Sequence, residues 1–346
     1  MIRKLLKILK VSAIAILLLI VIGLIFPTWT PSIKGENSIS VLEKVEINGT
    51  KHALMIRGVD RNNPILIFVH GGPGCSEIPY VRKYQKRLEQ NFTIVHYDQR
   101  GSGKSYHFGE DYSNLTTDLL VDDLLALTDY VTDKLGQEKV LLSGHSFGTY
   151  IGLKAAAKAP EKFKAYIGIG QVSDPIASEL DSLEYAIEQA KLANAFKDAE
   201  KLEQSRSLIE NGEMLTPRNM IRKYGGAARL IDDNQDYYKG FLLSPEYNLL
   251  DVVRFLTGIS VSQDVLLNEE IQYPITSLVK RLEIPCYFVM GAYDYMTPVN
   301  TARAYFEILE APVKDFVVFK YSAHYPQFEE EKLFAHWLNQ IVLYDF

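Results

Sequence analysis

Six short apolar runs decide most of what this chain can become: PILIFVH (64–70), FTIVHYD (92–98), KVLLSGHS (139–146), KAYIGIG (164–170), PCYFVMG (285–291) and DFVVFKYS (315–322). Each is bounded by turn residues and is rich in Val, Ile and Phe, which suits strands buried on both faces. Between most of them lie helical stretches. The clearest is LTTDLLVDDLLALTDYVTDKLG (115–136), where apolar residues recur at spacings of three and four until Gly136 stops the helix. The order strand, helix, strand predicts a mostly parallel sheet with helices on both faces. Ahead of it, VLEKVEI and KHALMIRGV flank Asn48-Gly49. That pair favours the positive φ angles of a tight primed turn, so an antiparallel hairpin is expected and the sheet reaches eight strands.

One interval breaks the alternation. Residues 171–277 contain no convincing buried strand, only amphipathic segments such as SELDSLEYAIEQAKLANAFKDAEKLEQSRSLIE. An inserted helical cap is predicted there, over the edge where the flanking strands end. The core is then 31–170 together with 278–346.

The first thirty residues form a separate unit. MIRKLLKILK carries Arg3, Lys4, Lys7 and Lys10 and no acid, and is followed by sixteen uncharged residues, Val11 to Phe26. With Leu5, Leu6, Ile8 and Leu9 added, residues 5–26 approach the roughly 30 Å of a hydrocarbon core while the lysines snorkel to the headgroups. PTWTPSIKGENS, which follows, offers no A-x-A-like cleavage site and no cysteine for a lipid anchor. Residues 1–30 are therefore expected to be a cytoplasmic basic stub and a transmembrane signal anchor. The chain would cross the cell membrane once, with its catalytic domain extracytoplasmic.

A chain of 346 residues that is 47% hydrophobic can bury a large core, and its formal charge of −6 lacks the basic footprint of a nucleic-acid binder. The two cysteines, Cys75 and Cys286, do not make a disulfide framework. They fall at opposite ends of the sheet, so two free, mostly buried thiols are expected, and zinc has no cluster to bind.

The chemistry centres on Gly144-His145-Ser146-Phe147-Gly148, a GxSxG pattern between a strand and the helical stretch TYIGLKAAAKA. A serine projected from so sharp a turn needs glycines beside it, because a Cβ there would clash. Its hydroxyl needs a base and an orienting acid. In this arrangement the order is serine, acid, histidine. Of seven histidines only His324 and His336 follow the elbow. His336 lies in a periodic helix, whereas His324 ends the last strand, where a base should sit. Asp294 ends the penultimate strand and is the expected acid, while Asp174 is expected to cap the entrance to the insertion. Attack on a carbonyl builds negative charge on oxygen, which backbone N–H groups must meet. Phe147 supplies one, and Gly72 of HGGPG (70–74) is expected to supply the other.

HGGPG (70–74), DQRGSGKS (98–105), GHSFG (144–148), GAYDYMTP (291–298) and SAHYP (322–326) together resemble the α/β-hydrolase fold and, within it, the proline iminopeptidase-like branch. The resemblance runs from about residue 41 to the C-terminus. It implies Ser146 as nucleophile, Asp294 and His324 as its partners, and Gly72 and Phe147 as oxyanion donors. It also implies an aminopeptidase that releases N-terminal proline or another small residue and holds the free amine with cap glutamates. Glu184, Glu188, Glu246 and Glu270 are open to that role. The iminopeptidases typically read GGSWG at the elbow where this chain reads GHSFG, as many esterases do, so a carboxylesterase or lactonase with the same triad is the alternative. A non-catalytic binding protein is a remote one, and Ser146 stands where an epoxide hydrolase would carry aspartate. GSGKS within DQRGSGKS is not a phosphate loop, because Asp98 occupies the required glycine position, and HGGPG lacks GxGxxG spacing. No cofactor or metal is expected. Asp98 and Arg100 are expected to pin loops behind the site.

Overall fold

The computed structural model describes residues 2–345. Eight strands form one sheet in the order β1-β2-β4-β3-β5-β6-β7-β8: β1 Ile39–Ile47, β2 Thr50–Gly58, β3 Ile65–Val69, β4 Thr93–Tyr97, β5 Val140–His145, β6 Phe163–Ile169, β7 Cys286–Gly291 and β8 Lys314–Phe319. β1 and β2 pair antiparallel through the turn at Asn48 (φ 47°) and Gly49 (φ 77°), and β2 pairs antiparallel with β4. From β4 to β8 every pairing is parallel.

The uninterrupted apolar runs are explained by the two cores they feed. Successive strand side chains point to opposite faces. Ile65, Ile67 and Val69 of β3 join one core with Leu120, Leu124 and Leu127 of the helix Thr117–Leu135. Leu66 and Phe68 join the other with Phe334 and Leu338 of the helix Glu331–Asp345. The helix Thr117–Leu135 opens on the Thr116 side chain, which accepts from Leu119 N, and closes at Gly136 in the left-handed conformation (φ 66°), as its sequence predicts.

Between β6 and β7 the chain is helical, from Pro175–Leu192 to Ile275–Leu278. Its longest helix, Leu249–Gln272, opens on a reciprocal capping box between Asn248 and Asp251. At the N-terminal end, the helix Ile2–Ile25 is long and apolar enough to cross a bilayer, and residues 3–22 of it are exposed. Both cysteines are free, Cys286 buried at the start of β7 and Cys75 half-buried beyond β3.

Candidate active site

β5 ends directly in the helix Phe147–Lys158, and Ser146 takes the turn with φ 55° and ψ −128°. That strained conformation is the elbow geometry that projects a serine above a sheet. The flanking glycines are required. A Cβ on Gly144 would lie 2.5 Å from Gly148 O, and one on Gly148 would collide with Val69 O of the neighbouring strand. Ser146 N donates to Ile169 O at 2.9 Å, and the His324 ring packs over the next residue, Gly170, where a Cβ would lie 2.9 Å from its Cε1.

Asp294 and His324 come from the loops after β7 and β8. These loops meet because a Cβ at Gly291 would run into Ala323 O, so only glycine permits the approach. His324 Nδ1 lies 2.9 Å from Asp294 Oδ2. The Asp294 carboxylate also accepts from Met296 N, Thr297 N and Thr297 Oγ1, each at 2.9 Å. Both side chains are buried. Burial pushes the His324 pKa below its ordinary 6.5, against the pull of the Asp294 charge and hydrogen bond. The ring is therefore neutral at pH 7, with Nδ1–H donating to Asp294 and Nε2 without a hydrogen bond among the described residues. The cap closes over this pair: His324 N donates to Ala227 O and Tyr295 N to Gly226 O.

Gly72 (φ 122°) lies in the loop after β3, and Phe147 is the first residue of its helix. Neither amide has a hydrogen-bond acceptor among the described residues. Asp174 caps the helix Pro175–Leu192 through Ala177 N, and His336 is exposed on the C-terminal helix. Asp98 accepts from Ser76, Lys104 N and Tyr247, while Arg100 grips Asp123 at 2.7 and 2.8 Å. Both are loop ties, as expected.

Of the four cap glutamates, the structure brings one to Ser146. Glu270 lines a largely enclosed cavity of about 80 Å³ together with Ser146, Phe147 and Thr297. Glu184 is exposed and bonded to Arg206, Glu188 is exposed, and Glu246 is buried against Arg82 and Thr30. Sequence reasoning passed over two further lining residues, Glu179 and Arg218. Arg218 binds both oxygens of Glu179, at 2.5 and 3.2 Å. Glu270 has no hydrogen bond or ion pair among the described residues. Its burial, with the nearby charge of Glu179, pushes its pKa up to about 7 against the pull of Arg218.

Beneath the elbow lies a second group that the motifs did not reveal. His145 Nδ1 is 2.8 Å from Glu77 Oε1, and His145 Nε2 is 3.0 Å from the carbonyl of His324. A carbonyl only accepts, so Nε2 carries a proton, and His145 fixes the backbone of the His324 loop. Burial alone would raise the Glu77 pKa, but the hydrogen bond and charge of His145, with His96 and His70 behind it, hold it below the usual 4.5. Glu77 thus contributes stability that is present above pH 4.5 and is lost as the pH falls through its lower folded value. Replacing His145 with leucine strands this carboxylate. Urea denaturation is expected to show a loss of about 3–5 kcal/mol, and the double variant Glu77→Leu/His145→Leu is expected to recover part of it.

A serine on a strand-to-helix elbow, beside a histidine–carboxylate pair under a helical cap, is an arrangement of hydrolytic enzymes. Residues 64–331 match the α/β hydrolase fold family, and the chain belongs to it. The probable aminopeptidase YbaC of Bacillus subtilis (strain 168) is 33% identical over 308 residues, covering 88% of this chain and 97% of that protein. The proline iminopeptidase of Saccharolobus solfataricus is 23% identical over 295 residues, 83% of this chain and 86% of that one. The solved structure of a proline iminopeptidase from Mycobacterium smegmatis shares the fold with a TM-score of 0.64 at 18% identity, covering 87% of this chain and 97% of that one. The chain is a hydrolase.

Proposed function

We propose that the chain is a membrane-anchored serine aminopeptidase that releases an N-terminal proline or another small residue from peptides. Ser146 Oγ attacks the carbonyl carbon of the first peptide bond and its proton passes to His324 Nε2, while Asp294 holds the ring and balances its charge. The developing oxyanion accepts from Gly72 N–H and Phe147 N–H. The C–N bond then breaks as His324 returns the proton to the leaving amine, and a water hydrolyses the acyl-enzyme by the same steps. The helix Ile2–Ile25 is the anchor, with its basic end cytoplasmic.

The observation that carries this reading is the unmatched acid in the cavity. A half-buried carboxyl without a partner, facing a second carboxylate, is costly when ionised unless a cation joins it. The N-terminal ammonium group of a peptide, a secondary ammonium in the case of proline, is such a cation, and its carbonyl lies two atoms away, which suits a cavity shared with Ser146. A cavity of about 80 Å³ admits one small residue and leaves little room for a long acyl chain.

A substrate pair tests the reading. The full-length chain is expected to release p-nitroaniline from prolyl p-nitroanilide and to leave the N-acetylated compound nearly untouched. Equal turnover of both would remove the free amine from recognition, and turnover of simple esters alone would favour an esterase.

A further inference from the structure

The anchor helix does not lead into a free tether. Phe26 O accepts from Asn248 Nδ2 at 3.0 Å, Trp29 N donates to Pro245 O at 3.0 Å, and Thr30 Oγ1 donates to Glu246 Oε1 at 2.9 Å. From the core side, Arg57 holds Thr30 and Pro31, and Lys104 holds Thr28. Gly23 sits so close to Leu249 that a Cβ would lie 2.6 Å from Leu249 Cδ1. The cap segment 245–249 is therefore fixed at the depth where the helix leaves the bilayer.

Apolar side chains stand bare on both sides of that segment. Leu242 and Leu243 end the helix Asp233–Leu243 and are 75% and 77% exposed. Leu249, Val253 and Leu256 make an outward stripe at i, i+4 and i+7 on the helix Leu249–Gln272, and Leu256 is 60% exposed. The two helices already pack through their inner faces, where the Phe241 and Phe255 rings lie 4.7 Å apart. The outer leucines thus add nothing to the core. Exposed Phe108 lies under the Arg254 guanidinium, 5.8 Å away, and exposed Trp29 adds an aromatic of the kind that settles at headgroup level.

Beside this edge runs a groove lined by Ile25–Thr28 on one wall and by Lys44, Lys104 and Arg254, with Glu43 and Asp251, on the other. Lys104 is spoken for by Asp251 and Thr28, and Glu43 by Lys134. Lys44 has no hydrogen-bond or ion-pair partner among the described residues. Arg254 binds Asp251 through one terminal nitrogen, and its Nε is buried with no acceptor. An exposed ammonium with no carboxylate beside it and a guanidinium with a free Nε, on a chain of net charge −6 and at the depth of the lipid headgroups, match a phosphate.

We propose that this edge of the cap is a bilayer-docking surface. Leu242, Leu243, Leu249, Val253, Leu256 and Phe108 enter the interfacial layer, and Lys44 and Arg254 meet the phosphates of anionic lipids. The proposal rests on the reading of Ile2–Ile25 as a membrane anchor and adds that the catalytic domain lies on the membrane in one orientation. The helix Leu249–Gln272 carries the docking stripe at one end and Glu270 near the other, about 20–30 Å along its axis at ~1.5 Å per residue. The site is thereby held off the lipid, toward soluble peptides.

The test is photolabelling of the full-length chain, reconstituted in phosphatidylglycerol–phosphatidylethanolamine vesicles that carry a diazirine lipid, with adducts mapped by mass spectrometry. Adducts are expected in residues 241–256 as well as in 11–26. The variant Leu243→Glu/Val253→Glu/Leu256→Glu is expected to lose the first set, to keep the second, and to hydrolyse a soluble substrate at the unaltered rate. Lys44→Glu is expected to reduce cap adducts in these vesicles and not in phosphatidylcholine. Adducts confined to 11–26 would overturn the docking and leave the anchor standing, whereas no adducts in either segment would remove the anchor and the docking together. Cross-links between two copies at 241–256, in place of lipid adducts, would overturn it in favour of self-association.

Discussion

Ser146→Ala is expected to lower kcat on the order of 10⁴- to 10⁶-fold without measurable change in the urea denaturation midpoint. The loss follows from what would remain. His324 would still be a neutral base oriented by Asp294, but no other nucleophile stands ready beside it. The Cys75 thiol, in the loop of the proposed oxyanion donor Gly72, has its pKa pushed up to about 12 by burial and stays protonated at neutral pH. The structural cost is small because Ser146 Oγ makes no hydrogen bond among the described residues. The ties of the turn are backbone ones, Ser146 N to Ile169 O and Thr149 N to Ser146 O, and alanine keeps both. Steady-state rates on prolyl p-nitroanilide, read beside the denaturation curve, separate lost chemistry from lost fold.

Glu270→Gln is expected to act on binding and to spare the chemical step. Removing one partner of a desolvated charge pair costs about 2–4 kcal/mol, which is on the order of 30- to 1000-fold in KM for a free-amine substrate. An uncharged ester should be turned over as before. The pH dependence gives the same separation. Glu270 must be ionised to hold a cation, and its pKa is about 7, so kcat/KM for prolyl p-nitroanilide rises with pH through about 7. For an uncharged ester the acid limb belongs to His324 and lies below its ordinary 6.5. In Glu270→Gln the limb near 7 disappears. Unchanged KM and an unchanged limb would remove Glu270 from amine recognition.

The scaffold was legible because both faces of the sheet are buried. The two cores impose uninterrupted apolar runs on β3 to β7, and the elbow imposes glycines at 144 and 148, where neighbouring carbonyls exclude any Cβ. Chain order and places at strand ends singled out His324 and Asp294, and the structure pairs them at 2.9 Å; their catalytic roles are part of the proposal. The cap was less legible, since its glutamates could be sorted only by helix face. Buried Ser182, Leu183, Ala186 and Ala190 define the inner stripe of Pro175–Leu192. Glu179 continues that stripe, while Glu184 and Glu188 fall on the opposite side. In Leu249–Gln272 the stripe Phe255, Gly258, Ser262, Leu266 leads to Glu270. Helical period alone therefore singles out the two acids that share the cavity, but that they face each other across 91 residues of sequence is set by tertiary packing. Glu77 gave no local signal, because its partner His145 is 68 residues away.

In the proposed reaction an aminoacyl group passes through Ser146 Oγ. Acid-quenched mass spectrometry of the enzyme mixed with prolyl p-nitrophenyl ester measures this step. One prolyl adduct is expected on the tryptic peptide 140–154, absent from Ser146→Ala. Turnover with no covalent adduct, or an adduct at any other residue, would contradict the account.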